Sequence, residues 1–145
     1  MIVRMATVAD AQAIAAMNEA FNGVATAPAV MAQRMAAASP VERIYLAEIG
    51  GDAVGFSVLW VFPVACFAEP YAEVSELYVH EDYRRRGIGR ALLTHVIRVA
   101  QAAGARELRL VTGFRNTAAQ RLYSSLGFEN LALQLFLPLD ARQNG

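Results

Sequence analysis

The period of the sequence changes abruptly at residues 84–89. Residues 73–79 read as a strand, whereas Leu92, Val96, Val99 and Ala103 recur at helical spacing with Leu93 and Ala100 beside them. Between the two stands Arg84-Arg85-Arg86-Gly87-Ile88-Gly89. A strand, a glycine turn and a helix in direct succession make an anion site. The first N–H groups of a helix have no partner, its dipole favours negative charge there, and glycines let a phosphate reach the backbone without meeting a Cβ. Arg84, Arg85, Arg86 and Arg90 add fixed positive charge, and a guanidinium can donate two parallel bonds to a phosphate. The turn lacks the third glycine of the dinucleotide fingerprint and the Gly-Lys-Ser/Thr of the P-loop, so neither nucleotide motif is present.

The remaining chain divides at its turn signals. Residues 2–6 form a short strand. Thr7 and Asp10 then open a helix in the manner of a capping box, with Ile14, Met17, Phe21 and Val24 as its apolar stripe and Asn22-Gly23 as its stop. A second helix runs over 29–38 and ends at Ser39-Pro40. Residues 43–49 and 53–64 form an antiparallel pair around Gly50-Gly51-Asp52, followed by a loop over 65–71. After the helix that Gly104 stops, residues 107–112 alternate as a strand, Asn116 caps a helix ended by Gly127, and residues 128–137 supply a final strand. The order is β-α-α-β-β-β-α-β-α-β in one domain over 1–145, an α/β fold of the α+β type with a mostly antiparallel sheet. Residues 140–145 are expected to fray.

Composition narrows the function classes. Hydrophobic residues make up 56% of the chain and charged ones 18%, which leaves ample surface for a core and excludes a disordered tail. Lys+Arg and Asp+Glu number 13 each, so no net field favours nucleic acid or an anionic membrane. An Arg-driven nucleic-acid binder is the reading this argues against. Cys66 is the single cysteine, which rules out an internal disulfide, and no Cys/His cluster points to a metal. No signal peptide or spanning stretch is expected, and a cytoplasmic location fits.

Arg84-Arg85-Arg86-Gly87-Ile88-Gly89 resembles the A motif of the GNAT N-acetyltransferase superfamily, Arg/Gln-x-x-Gly-x-Gly/Ala, and Glu76-Leu77-Tyr78-Val79 before it is similar to the strand of that motif. Residues 116–128, from Asn116 through Leu122-Tyr123 to Gly127-Phe128, resemble the family's B motif, and residues 4–10 its opening. The resemblance implies a sheet of six to seven strands with the fourth and fifth splayed, about four helices, and acetyl-CoA as co-substrate, without a metal. It further implies that Leu77, Tyr78 and Val79 pair with the pantetheine arm through their backbone, and that Arg84, Arg85, Arg86, Gly87, Ile88, Gly89 and Arg90 enclose the pyrophosphate. A backbone N–H near the splay would stabilise the oxyanion. Asn116 matches the asparagine that contacts pantetheine, and also reads as a plain N-cap. Tyr123 stands where the family carries the acid that protonates the departing thiolate, against a second reading as an ordinary core tyrosine.

Acyl transfer to an amine also needs a base, because a free alkylamine is mostly protonated at neutral pH. Glu76 and Glu73 are the candidates. Strand alternation puts them on opposite faces unless a bulge intervenes, and Glu76 is preferred; the alternative is that both merely solvate an edge. The end of the fifth strand, Leu110-Val111-Thr112, offers no carboxylate. His80 reads as a loop residue and His95 as a helix residue, neither catalytic. The activity implied is N-acetyl transfer to a primary amine (EC 2.3.1), with a regulatory acyl-CoA-binding module as the alternative. Residues 21–38 and 65–71, rich in Ala, Met and Phe with Glu69 nearby, suggest a small or partly apolar amine. The alternating Leu131, Leu133, Leu135 and Leu137 suit a homodimer surface as well as a strand buried on both faces.

Overall fold

The computed structural model describes residues 1–140. The chain runs through β1 (Ile2–Met5), α1 (Ala11–Asn22), α2 (Pro28–Ala38), β2 (Glu42–Ile49), β3 (Asp52–Phe62), β4 (Tyr71–Val79), α3 (Ile88–Ala102), β5 (Leu108–Leu110) and α4 (Thr117–Ser125). Short 3-10 turns at Val8–Asp10 and Glu81–Tyr83 precede α1 and α3. Two units result, Met1–Leu110 and the part from Val111 onward.

In the first unit the five strands lie in the order β1-β2-β3-β4-β5. The first four are antiparallel and β5 runs parallel to β4. The β2–β3 hairpin closes on Gly50 (φ 61°) and Gly51 (φ 89°), two residues for which only positive φ matches the twist of the flanking strands. Ile14, Met17, Met31, Ile44, Leu46, Phe56, Val58 and Tyr78 form the core under α1 and α2. On the opposite face α3 turns Ile88, Leu92, Leu93, Val96 and Ala100 inward, and each fully buried branched side chain there contributes roughly 1.5–3 kcal/mol.

Strand β4 comes so close to Gly55 of β3 that Gly55 has no room for a side chain. A Cβ there would lie 2.7 Å from the Tyr78 carbonyl oxygen, with Ile88 and Leu92 just behind. Because the obstacle is backbone, Gly55→Ala is expected to cost about 2 kcal/mol, read as a lower urea midpoint at unchanged slope. An unchanged midpoint would mean that β4 yields freely at Tyr78.

The capping box at the start of the first helix is present. The Thr7 N–H donates to Asp10 Oδ2 at 2.8 Å, and Gly23 (φ 70°) ends α1. Arg4 donates to both oxygens of Asp10, at 2.9 and 2.8 Å, and also to Glu48, so it ties β1 to β2 and to the helix start. Those bonds from Arg4 hold the Asp10 carboxyl down at about 2, from an ordinary 3.8. A depressed acid stabilises the fold above its unfolded pKa, and that stability is lost as pH falls through the folded pKa. Allowing for solvent screening, wild type should exceed Asp10→Asn by about 1 kcal/mol near neutrality, with the gap closing as the pH approaches about 2. Denaturant titrations across that range check it; a gap constant with pH would refute the pair's role.

The second unit contains α4. Asn116 Oδ1 accepts from the Ala119 N–H at 3.2 Å, Gly127 has φ 94°, and the Phe128 N–H returns to the Tyr123 carbonyl at 3.1 Å. Here the sequence expectation needs correction. Residues 128–137 form no strand, β5 spans three residues rather than 107–112, and the sheet has five strands among the described residues rather than six or seven. Leu131, Leu133, Leu135 and Leu137 are 78–89% exposed. Alternation supplies a face for a strand but not the neighbouring N–H and C=O groups a ladder requires, and residues 128–137 have none beside them among the described residues. The fraying expected after Asp140 lies outside the described residues.

Candidate functional site

The site of the first unit is built where β4 runs out past β5. Strand β5 pairs only with Ala72, Glu73 and Val74, so among the described residues no strand pairs with 75–79 of β4 on that side. On the other side β3 accompanies β4 to Val79. The His80 N–H donates to the Val54 carbonyl of β3 at 2.8 Å, and backbone groups alternate in direction along a strand. The N–H and C=O of Val79 and Leu77 therefore point to the open edge. The Val79 carbonyl accepts from Arg84 Nε at 3.1 Å, which agrees with that direction. Tyr78 is turned the other way: its ring is buried against Phe21 (5.5 Å) and Phe56 (6.0 Å).

The open edge leads into the glycine turn. His80 Nδ1 accepts from the Asp82 N–H at 3.2 Å, which caps the 3-10 turn, and the chain then passes through Arg84 to Gly87, the N-cap of α3. Arg85 (φ 62°) and Gly87 (φ 77°) are both left-handed, and Arg85 is the only non-glycine residue with positive φ among the described residues. A side chain in that region costs about 1 kcal/mol or more, and such strain collects at binding turns. Helix α3 begins with no side-chain cap and no acid in its first turn, unlike α4 with Asn116. Its first N–H groups are thus left to a ligand or to water. Arg84, Arg85, Arg86 and Arg90 are exposed around them, with the Arg86 guanidinium 5.2 Å from the centre of the Tyr83 ring, while Ile88 is buried beneath.

A bulge decides the question of the two glutamates. Val58 pairs with Glu76 and Leu59 with Val74, so Ser75 is an extra residue in β4. Alternation restarts after it. Glu76 lies opposite Val58 and Glu73 opposite Trp60, and both partners belong to the face that α1 and α2 cover. Both carboxylates, half-buried, therefore share one face, where simple alternation would have separated them. Trp60 is held by its Nε1–H, which donates to Glu42 at 2.7 Å. Beside them the loop of residues 63–70 is pinned by Phe67, whose ring lies 5.8 Å from Tyr71 and 4.3 Å from the Arg106 guanidinium. Cys66 and Glu69 of this loop are exposed.

In the second unit Tyr123 is half-buried, with its ring 6.0 Å from Phe128. Burial pushes its phenol above the ordinary value, so it keeps its proton throughout the neutral range. Asn116 spends one oxygen lone pair on its own helix, which leaves its amide N–H groups for another partner. His95 lies on Tyr45 at 4.8 Å. Among the described residues no group of three or more His, Cys, Asp or Glu could hold a metal, and no helix is long and apolar enough to cross a membrane.

The model of the Acetyltransferase (GNAT) family matches residues 13–128. The chain belongs to that family. Among its relatives are an uncharacterized N-acetyltransferase of Methanocaldococcus jannaschii (35% identical, covering 61% of this chain and 39% of that protein) and the [ribosomal protein bS18]-alanine N-acetyltransferase of Escherichia coli (32%, 64% and 66%). The aminoglycoside N(6')-acetyltransferase type 1 of Salmonella typhimurium is 28% identical over 63% of this chain and 66% of its own. The matched part thus spans 39–66% of the length of these relatives. A solved structure from Agrobacterium tumefaciens superposes with a TM-score of 0.88 at 25% identity, covering 96% of this chain and all of the other. The family's fold, a mixed sheet with four helices, is the one found here.

Proposed function

We propose that this chain is an acetyl-CoA-dependent N-acetyltransferase that moves the acetyl group directly to a primary amine, with residues 1–145 acting as one catalytic domain. The observation that carries the reading is the unpaired edge of β4, with Leu77 and Val79 facing it, leading straight into an uncapped helix start at Gly87. An extended arm bearing amides suits the first, and a pyrophosphate the second. Arg84, Arg85, Arg86 and Arg90 surround the phosphates, Gly87 and Gly89 admit them to the backbone, and Asn116 bonds the arm through its free amide.

Glu76, with Glu73 as the second candidate, takes the proton of the incoming amine, directly or through a water. The amine nitrogen then attacks the thioester carbon, the C–S bond breaks, the departing thiolate receives the proton of Tyr123, and the excess proton on the new amide nitrogen passes through solvent to restore the phenol. The relatives that act on an aminoglycoside and on a protein alanine both take amines, and two carboxylates on one face favour a cationic acceptor here. The enzyme works in the reducing cytoplasm, and the exposed leucines at 131–137 offer a surface to a second copy.

Thiol release from acetyl-CoA, measured against a panel of amines, tests this. Turnover with at least one cationic amine is expected, and Glu76→Gln should lower kcat by about 100-fold, as loss of a general base does. Binding of acetyl-CoA without thiol release for any amine would leave the regulatory alternative; best turnover of neutral or acidic amines would overturn the cationic acceptor.

A further inference from the structure

Trp60 is the single tryptophan of the chain and stands in the middle of a row across three strands. Glu42 of β2 pairs with it on one side and Glu73 of β4 on the other, so all three side chains share the face beneath α1 and α2. Directly opposed residues have Cβ atoms about 5 Å apart, which sets Glu73 beside the indole, with Glu76 further along the same face. The indole is fixed from the Glu42 side, where its Nε1–H donates to the carboxylate at 2.7 Å. It packs against the core that includes Met31 and Ile44 and stays half-buried. The next row outward on this face is aromatic as well, since Phe62 pairs with Tyr71 and their rings lie 6.0 Å apart.

No cation of the protein answers the carboxylates around this ring. Among the described residues neither Glu73 nor Glu76 enters an ion pair. Arg109, which pairs with Glu73 across the sheet, sends its guanidinium to the Tyr71 ring at 4.5 Å and to Glu107 at 3.1 Å. An indole is the best cation acceptor among the aromatic side chains, and the same ring offers apolar surface to an alkyl chain. We infer that Trp60 is the residue that recognises the acceptor, taking an alkylammonium against its ring beside Glu73, and that Glu42 is the positioning residue that holds the ring. The acceptor is thus a primary amine carried on an apolar stem, whose charge the indole and Glu73 read before Glu76 removes the proton. The inference rests on the acetyltransferase reading above and narrows its acceptor. Position 60 belongs to no motif, and only the pairing of β3 with β2 and β4 brings it between two carboxylates.

Because no other tryptophan is present, the emission of Trp60 reports directly on what binds beside it. The full chain, saturated with coenzyme A, is titrated with n-butylamine, with butyltrimethylammonium, which has the charge but no N–H, and with n-butanol, which is uncharged. Both cations should change the emission saturably, and the alcohol should not. This arm uses the wild-type chain, so it stands whether or not a variant folds. In thiol release from acetyl-CoA with n-butylamine, Trp60→Leu should raise the KM for the amine by about 10-fold, the size of one cation–π contact, with kcat and the affinity for acetyl-CoA within about twofold. Glu42→Leu should raise that KM in the same way, and Glu42→Gln should recover it, since an amide oxygen still accepts from the indole N–H. Emission that ignores both cations, an equal response to n-butanol, or an amine KM unmoved by Trp60→Leu overturns the inference and leaves the acetyltransferase reading standing. Absence of thiol release with every amine, while the emission still answers the cations, overturns that reading and leaves a cation site at Trp60.

Discussion

Tyr123→Phe is expected to lower kcat by about 100-fold or more while changing the affinity for acetyl-CoA by less than about twofold, because removing a general acid acts on the transition state alone. The substitution keeps the ring that packs against Phe128 at 6.0 Å and deletes only the hydroxyl. Burial keeps that phenol protonated above its ordinary range, the state in which it can donate to a leaving thiolate. The raised pKa also has a signature in the pH–rate profile. The alkaline limb should begin only well above neutrality, and it should vanish in the variant. Steady-state thiol release, with kcat and KM separated, checks this; unchanged turnover would reduce Tyr123 to a packing residue of α4.

Gly87→Val should weaken acetyl-CoA binding by about 100-fold, or about 3 kcal/mol, with kcat at saturation much less affected. Gly87 sits at φ 77°, a left-handed conformation that a β-branched residue adopts only under strain, so the turn must change shape. Nothing in the protein lies within 4 Å of the position a Cβ would take, so no clash with the fold adds to that cost. The damage therefore falls on whatever approaches the α3 start from outside. Calorimetric titration of the variant, with its urea midpoint measured in parallel, separates the two. A weakening of about 100-fold with a loss of stability no larger than the strain of the turn supports the turn as the phosphate site, whereas unaltered affinity would move the phosphates elsewhere.

The local elements were legible because short-range chemistry decides them. Thr7 and Asp10 mark the start of the first helix, Gly23 its end, Gly50-Gly51 the hairpin and Asn116 the cap of α4, each through bonds or dihedrals made within a few residues. The glycine turn before α3 was equally plain, since its glycines and arginines are adjacent in the chain. What failed was the final strand at 128–137. Its alternation of leucines states a preference for extended backbone, but a strand is completed by hydrogen bonds to a neighbour that no local pattern supplies.

The relation of Glu73 to Glu76 shows the same limit in the site. Three residues apart on a strand, they should face opposite ways, and a sequence contains no mark that Ser75 is the extra residue. Only the pairing of β4 with β3, which sets Val58 against Glu76 and Leu59 against Val74, brings both carboxylates to the face beneath α1 and α2. The sequence by itself determined the order of elements through α4, the glycine turn before α3 and the family, all of which depend on residues close together along the chain. The tertiary structure alone decided strand register, the open edge of β4 and the side-chain partners across the sheet, because these depend on which distant backbone groups find one another.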